Sequence, residues 1–268
     1  MADKRMELCT AMRLIPSGTL LGLGGNTLNR APMAAVMELA RQSKQGLRLV
    51  KTAGGMDVDL LCFADCVDSV AAGFVSYETE YGLCGHYRKA VEGGRVRAHE
   101  HACYTVISAL RAACYGIPFM PVRGLQRSDL LKVNDYFAPV EDPFTGEELI
   151  SVQAIRPNWS ILHVHLADSR GNGYIEGPKY DDILLSRASE GVILTAERIV
   201  GDEYFAANSR KAHIPHFMVN AVVEAPRGAK PGACYGAYGV SDESLRSFLS
   251  LNTKEELDSW LVRGAYGV

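Results

Sequence analysis

Short apolar runs recur along the chain, and each is followed by a polar or glycine-rich turn. Eight of these runs have the length and the β-branched or aliphatic content of strands: residues 19–23, 47–51, 67–75, 95–98, 149–153, 160–167, 191–195 and 221–224. Between several of them lie segments with helical composition, at residues 33–42, from Met56 onward and at 101–111. This alternation predicts an α/β fold with an open, mainly parallel sheet flanked by helices.

Two segments depart from the alternation. Residues 124–148 contain a clear turn at 142–147 and lack the hydrophobic periodicity of a helix or strand, so they are interpreted as an irregular insertion or lid. Residues 242–263 have the composition of a helical tail. Since the chain has 268 residues, of which 47% are hydrophobic, we expect residues 1–268 to form a single domain with one large core.

The charge pattern narrows the function classes. The net charge is −3 and the basic residues are scattered, so we expect no nucleic-acid partner. The sequence has no signal-peptide pattern and no long apolar window, so we expect no membrane association and a cytoplasmic location. The seven cysteines lie mostly in apolar surroundings, which is typical of reduced, buried thiols.

The most specific stretch is residues 16–32, which reads as a strand, a tight loop at Gly24 and Gly25, and a helix start. Ligands of open α/β sheets bind at the carboxyl ends of the strands, so this loop is the first candidate site. A dinucleotide-binding loop needs a third glycine three residues later, but Thr27 and Leu28 follow there instead. The pattern therefore favours a substrate loop over a nicotinamide site.

Three further positions could carry chemistry. Glu100, flanked by His99 and His101, follows a predicted strand and combines an acid with groups that titrate near neutral pH. A helix cap with surface histidines is the alternative interpretation. Ser76 follows another strand and could contact substrate or cap a loop, and Arg123 could pair with a substrate carboxylate.

We expect neither a metal nor a tightly bound cofactor. His163 and His165 lie on one face of a predicted strand, but a metal site needs a third ligand that the sequence does not place beside them. Cys62 and Cys66 lack the second pair of ligands that a structural zinc site would need.

The glycine loop also carries a family resemblance. The residues Gly24-Gly25-Asn26, Thr27-Leu28-Asn29 and Arg30-Ala31-Pro32 resemble the signature of the alpha subunit of family I CoA-transferases, in which Gly-Gly-Phe precedes Gly-x-Pro. Arg30 in place of the glycine of Gly-x-Pro resembles the glutaconate CoA-transferase branch, whereas Asn26 departs from the usual Phe. Similar residues near 116–124 and 225–236 extend the resemblance over residues 17–239.

The resemblance implies half of a shared active site. In such enzymes a beta subunit supplies the nucleophilic glutamate, and its Ser-Glu-Asn-Gly motif is absent here, where residues 189–191 read Ser-Glu-Gly. It implies coenzyme A as a co-substrate, a dicarboxylic acyl group and a beta-subunit partner of similar fold.

This chain would contribute the backbone N–H groups of Gly24, Gly25 and Asn26, with Arg30 or Arg123 holding the distal carboxylate. The alternatives are a hydrolase or decarboxylase of a dicarboxyl-CoA ester with Glu100 as acid or base, and a non-catalytic partner subunit.

Overall fold

The computed structural model describes residues 2–264, with side chains up to residue 262. Its main sheet is parallel except for one short strand, and it has the order β11-β10-β8-β1-β2-β3-β4, with β9 antiparallel to the end of β8. The strands of this sheet are β1 (Leu20–Leu23), β2 (Leu47–Gly54), β3 (Val67–Val75), β4 (Arg97–Glu100), β8 (Trp159–Asp168), β9 (Gly173–Tyr174), β10 (Gly191–Val200) and β11 (Ala221–Glu224). The predicted fold class is confirmed.

Helices cover both faces of the main sheet. In chain order they are α1 (Leu8–Arg13), α2 (Met33–Arg41), α3 (Met56–Phe63), α4 (Glu78–Tyr81), α5 (Gly85–Glu92), α6 (Cys103–Tyr115), α7 (Leu130–Val133), α8 (Asp182–Ala188), α9 (Asp202–Ala207), α10 (Asp242–Leu249) and α11 (Lys254–Gly264). One buried cluster unites α1, α2, α3, α10 and α11, and a second unites α6 and α8 with the opposite face. The predicted tail therefore forms two helices, α10 and α11.

A second sheet forms beside α6. It is antiparallel, has the order β5-β7-β6, and consists of β5 (Phe119–Val122), β6 (Phe137–Glu141) and β7 (Glu148–Gln153). Its strands correct two expectations: residues 124–148, interpreted as irregular, contain α7 and β6, and the run at 149–153 does not join the main sheet. The reason is pairing, because β7 supplies hydrogen-bond partners on both of its edges.

The strand at 95–98 is displaced along the chain. Arg95 and Val96 still donate to the Ala90 carbonyl at the end of α5, so β4 starts at Arg97 and pairs with Ser69–Ala72 of β3. Glu100 is consequently the last residue of a strand, and the next helix starts only at Cys103.

Candidate functional site

The loop between β1 and α2 lies at the carboxyl edge of the main sheet and folds back on itself. Asn26 and Asn29 exchange both backbone hydrogen bonds, at 2.8 and 2.7 Å. Gly25 has φ +74°, and a Cβ there would lie 2.4 Å from the Arg30 carbonyl oxygen. Glycine is therefore required at position 25 by the shape of the loop.

Two buried ion pairs hold this loop. On one face of the sheet, the Lys51 ammonium donates to the Gly24 carbonyl and lies 2.6 Å from Asp57 Oδ2. On the other face, Asp182 at the start of α8 accepts from the Gly25 amide at 3.1 Å and pairs with Arg30 at 2.7 Å. The loop is thus fixed between a lysine of its neighbouring strand and an aspartate distant in sequence.

These contacts correct the role expected for the loop amides. Gly24 N–H donates to the Ile161 carbonyl at 2.9 Å, Gly25 N–H to Asp182 and Asn26 N–H to Asn29. All three donors are satisfied within the chain, so in this conformation none faces an acyl oxygen. Gly25 and Asn26 remain half-exposed at the sheet edge, so their contact with substrate stays a prediction.

The glycines of β1 serve helix packing. A Cβ at Gly22 would lie 2.6 Å from a methyl carbon of Leu185, and one at Gly24 would lie 2.3 Å from Asp182 Oδ1. Helix α8 therefore occupies the space that the glycine pattern was expected to leave for substrate. The sequence could not show this, because Asp182 and Leu185 come from a helix more than 150 residues later.

The Arg30 side chain is also buried and already has partners within the protein. Its side chain is 2% exposed and donates to the His163 carbonyl at 2.8 Å in addition to its ion pair. A guanidinium with these partners has little freedom to bind a substrate carboxylate unless the loop rearranges. Arg123 is 72% exposed and forms a bidentate pair with Glu147 on the three-stranded sheet.

Ser76 lies at the end of β3, next to a second glycine loop. Its amide donates to the Gly54 carbonyl at 3.1 Å, and a Cβ at Gly55 would lie 3.1 Å from the Thr27 carbonyl. The structure therefore brings the Ser76 segment and the first glycine loop to one edge. The Ser76 hydroxyl donates to Gly82 and accepts from the Glu78 amide at 3.0 Å, as in the capping alternative.

Glu100 and its two histidines separate on opposite faces of β4. Glu100 is exposed, whereas His99 and His101 pack against the ring of Tyr136, and His101 also packs against Phe137. Burial lowers the pKa of His101 to about 4, so this imidazole is neutral at pH 7. The expected acid/base cluster is therefore corrected: strand alternation leaves Glu100 without a histidine partner.

Two further potential metal ligands, from distant parts of the sequence, lie next to His163. Its Nε2 lies 2.7 Å from Glu197, and potential ligand atoms of His163, Glu197 and Cys234 all lie within 4.8 Å of one another. The premise that a third ligand is missing is thus wrong for the part of the chain that the structure describes. Both ring nitrogens of His163 already have partners, since Nδ1 lies 2.9 Å from the Thr195 hydroxyl.

Sequence reasoning missed Lys51 and Asp182 as organisers of the loop. Lys51 gave a usable signal, because a lysine within an apolar strand must find a charged partner when it is buried. Asp182 gave no signal beyond its position at the start of a helix.

The structure also has a cavity of about 870 Å³ between the N-terminal segment and β11, and none of the predicted site residues lines it. Within residues 2–264, no helix is long and apolar enough to cross a bilayer.

Comparison with known proteins gives the family. The model of the coenzyme A transferase family matches residues 5–225, so the chain belongs to that family. The alpha-type subunit of glutaconate CoA-transferase from Acidaminococcus fermentans is 30% identical over 96% of this chain and 86% of its own length. The crystal structure of that enzyme superposes with a TM-score of 0.91, covering 96% of this chain and 87% of that one.

Two further proteins are similar to this chain over nearly its full length. The decarboxylase AibA/AibB superposes with a TM-score of 0.89 at 34% identity, covering 98% of this chain and all of that one. An uncharacterised protein of Archaeoglobus fulgidus is 32% identical over the whole of this chain, which spans only 60% of that relative's length. The fold is therefore shared with proteins named for two different reactions, CoA transfer and decarboxylation.

Proposed function

We propose that this chain is the alpha subunit of a heteromeric CoA-transferase, active only with a beta subunit, that moves coenzyme A between a dicarboxylic, glutaconate-like acyl-CoA and an acceptor carboxylate. The observation that carries the proposal is the near full-length similarity, in sequence and in fold, to the alpha-type subunit of glutaconate CoA-transferase. The absence of a Ser-Glu-Asn-Gly motif supports a shared site, since the nucleophilic glutamate must then come from the beta subunit.

The carboxyl edge of the sheet has the surface that such a partner would cover. Large apolar side chains are exposed around the glycine loops: Phe74, Leu83, Tyr104, Tyr180 and Tyr235. Leu83 pairs with Ser76 through a backbone bridge, and the Tyr180 ring lies 5.7 Å from the Arg30 guanidinium. Exposed apolar and aromatic groups gathered at one site are typical of protein interfaces.

The proposed reaction divides acyl exchange into covalent steps on the partner's glutamate. The carboxylate attacks the thioester carbonyl and releases the CoA thiolate, which leaves a mixed anhydride. The thiolate then attacks the glutamyl carbonyl, releases the first carboxylic acid as its carboxylate, and forms an enzyme thioester that the acceptor carboxylate converts by the reverse sequence. This chain contributes binding and orientation in these steps.

Co-expression with a candidate beta subunit tests the proposal. The purified complex should exchange CoA between dicarboxyl-CoA esters and free carboxylates, measured by product chromatography over a panel of esters, and the isolated chain should show no turnover. Full turnover by the isolated chain contradicts the shared site. A complex that hydrolyses or decarboxylates the esters without transferring CoA contradicts the transferase.

A decarboxylase or hydrolase is the second candidate, because the AibA/AibB decarboxylase covers the same fold at 34% identity. In this case Glu100, exposed at the end of β4, would act as acid or base. Glu100→Gln then abolishes activity while replacement of the partner's glutamate does not. The opposite pattern supports the transferase.

The third hypothesis, a non-catalytic subunit, needs a variant that leaves the fold intact. Gly25→Leu is unsuitable, since the side chain would meet the Arg30 carbonyl at 2.4 Å and the loop would lose its shape. Thr52 and Asp181, which line the cavity at the sheet edge, are better positions. If the chain only holds its partner in place, substitutions at both positions leave turnover of the complex unchanged.

A further inference from the structure

A small cavity lies at the carboxyl ends of β1 and β2, on the side of α6 and α8. Its volume is about 10 Å³, and its lining includes Gly24, Gly25, Thr52, Asp181 and Asp182. A cavity of about 10–15 Å³ holds one water molecule, so this one has room for a single oxygen atom. Gly25 and Asp181 are half-exposed, so the cavity is bordered by groups that solvent reaches.

Most of the charged groups around the cavity already form ion pairs with other residues. Lys51 pairs with Asp57 at 2.6 Å, and Asp182 pairs with Arg30 at 2.7 Å while accepting from the Gly25 amide. The groups that remain for a ligand are the hydroxyl of Thr52 and the carboxyl of Asp181.

Thr52 is the residue of the cavity lining whose buried side-chain oxygen lacks a hydrogen-bond partner in the described chain. Its residue is 9% exposed, and its Oγ1 makes no hydrogen bond of standard geometry within the described chain. A buried hydroxyl without a partner costs free energy, so native proteins rarely leave one unless a ligand or water completes it. The position of this hydroxyl in the lining of an oxygen-sized cavity indicates a bound acceptor.

Asp181 lies beside Thr52 in the lining of the cavity. It directly precedes α8 and forms no ion pair in the described part of the chain. Burial raises the pKa of its carboxyl group, the neighbouring Asp182 carboxylate acts in the same direction, and the nearby Thr52 hydroxyl offsets only part of the rise. Cys103, at the start of α6, lies beside this pair, with Sγ 3.5 Å from the Thr52 carbonyl oxygen.

We propose that this cavity binds one oxygen of the acyl-CoA substrate, with the Thr52 hydroxyl as its hydrogen-bond donor. The inference rests on the proposed function and replaces the loop amides, which are internally bonded, with a side-chain donor at the same edge. The oxygen belongs either to the thioester carbonyl or to the distal carboxylate, both of which are acceptors.

The test uses the complex with the beta subunit and the substitution Thr52→Val, which removes the hydroxyl and keeps the side-chain shape. Ser160→Ala is the matched control, because Ser160 also carries a buried hydroxyl without a partner on a strand of the main sheet but does not line the cavity. Both variants should unfold at the wild-type denaturant concentration or above it, since each loses an unsatisfied polar group.

We expect Thr52→Val to lower kcat/KM by about 10- to 100-fold, the range for a lost hydrogen bond to a charged or partly charged oxygen, and Ser160→Ala to leave it unchanged. If the oxygen is the thioester carbonyl, the loss falls on kcat and occurs with monocarboxyl and dicarboxyl esters alike. If it is the distal carboxylate, the loss falls on KM and disappears with a monocarboxyl ester.

Wild-type activity of Thr52→Val, together with unchanged ester binding measured by calorimetry, overturns the oxygen site and leaves the transferase intact. A wild-type complex that neither binds nor converts any ester overturns both proposals.

Discussion

Arg30 and Arg123 have the same guanidinium group and the same expected role as the cation for a substrate carboxylate, but the protein places them in opposite environments. Arg30 is 2% exposed and is held by Asp182 and the His163 carbonyl at the edge of the main sheet. Arg123 is 72% exposed and pairs with Glu147 on the three-stranded sheet. The comparison shows that the partner and the burial, which are both tertiary, decide what an arginine does.

The two regions also differ in how they are held together. At the carboxyl edge, buried charges hold backbone groups of the glycine loop, so losing one charge leaves its partner unpaired in a water-poor environment. The three-stranded sheet carries its ion pairs in solvent, where each contributes little. Four predictions test this contrast.

Arg30→Met should have the largest effect. It leaves Asp182 as an uncompensated buried carboxylate, so we expect a loss of about 3–5 kcal/mol in the free energy of unfolding, measured by urea denaturation. The double variant Arg30→Met with Asp182→Leu should recover part of the loss, because it removes both charges. A loss below about 1 kcal/mol for the single variant would place the pair among ordinary surface contacts.

His101, which joins β4 to the three-stranded sheet through Tyr136 and Phe137, should make stability depend on pH. Its pKa falls from 6.5 to about 4 on folding because burial penalises the charged form. The unfolded chain therefore binds more protons between these values, and the contribution, at most about 3 kcal/mol, is complete above pH 6.5 and is lost as the pH falls towards 4.

The measurement is the difference in unfolding free energy between wild type and His101→Asn from about pH 7 to about pH 4.5. This difference removes the opposite contribution of Asp59, whose pKa burial raises to about 6. Asparagine has no proton to gain, so the variant should lose less stability on acidification. Parallel pH curves for the two proteins would contradict the assignment.

Gly24→Ala tests the close packing of α8 on β1. The new methyl would lie 2.3 Å from Asp182 Oδ1 and 2.7 Å from Leu162 Cδ2, and the carboxylate cannot retreat without loosening Arg30. We expect a loss of about 1–3 kcal/mol in thermal or chemical unfolding. Gly85→Ala is the control: no atom lies within 4 Å of its Cβ, and alanine at this helix position should be neutral or slightly stabilising.

Arg123→Gln should have the smallest effect. Its pair with Glu147 is exposed, so the free energy of unfolding should change by less than about 1 kcal/mol, and about 0.5 M salt should reduce the difference further. If Arg123 contacts the substrate in the complex, KM for a dicarboxyl-CoA ester rises while stability stays constant. A large stability loss would show that the three-stranded sheet depends on this pair.

Much of the fold was predictable because it depends on local periodicity. The run at 67–75 forms β3 as predicted, and the helix predicted at 33–42 is α2. The pattern of an apolar strand or an unbroken helix can be recognised within about ten residues. The predictions failed at β4, whose start is shifted, and at β7, which pairs in the second sheet. In both cases the hydrogen bonds with neighbouring elements decide the outcome.

The site was less accessible to the same reasoning. The sequence pointed to the carboxyl edge of the main sheet through Gly24, Gly25 and Ser76, but it assigned the loop amides to a substrate, whereas in the structure the Gly25 amide donates to Asp182. Thr52 and Asp181 carry no motif, and only their meeting at an oxygen-sized cavity marks them. Their distance along the chain is the reason that no local pattern could join them.

By itself, the sequence determined the parallel sheet, its flanking helices, the turn at the end of β1 and the kinship with CoA-transferase alpha subunits. Hydrophobic periodicity and loop glycines are patterns of residues that lie close together in the sequence. Only the tertiary structure decided which ionisable groups are buried together: Arg30 with Asp182, Lys51 with Asp57, and His163 with Glu197. Burial makes an isolated charge expensive, so the Arg30–Asp182 and Lys51–Asp57 pairs, rather than the glycines alone, give the candidate site its shape.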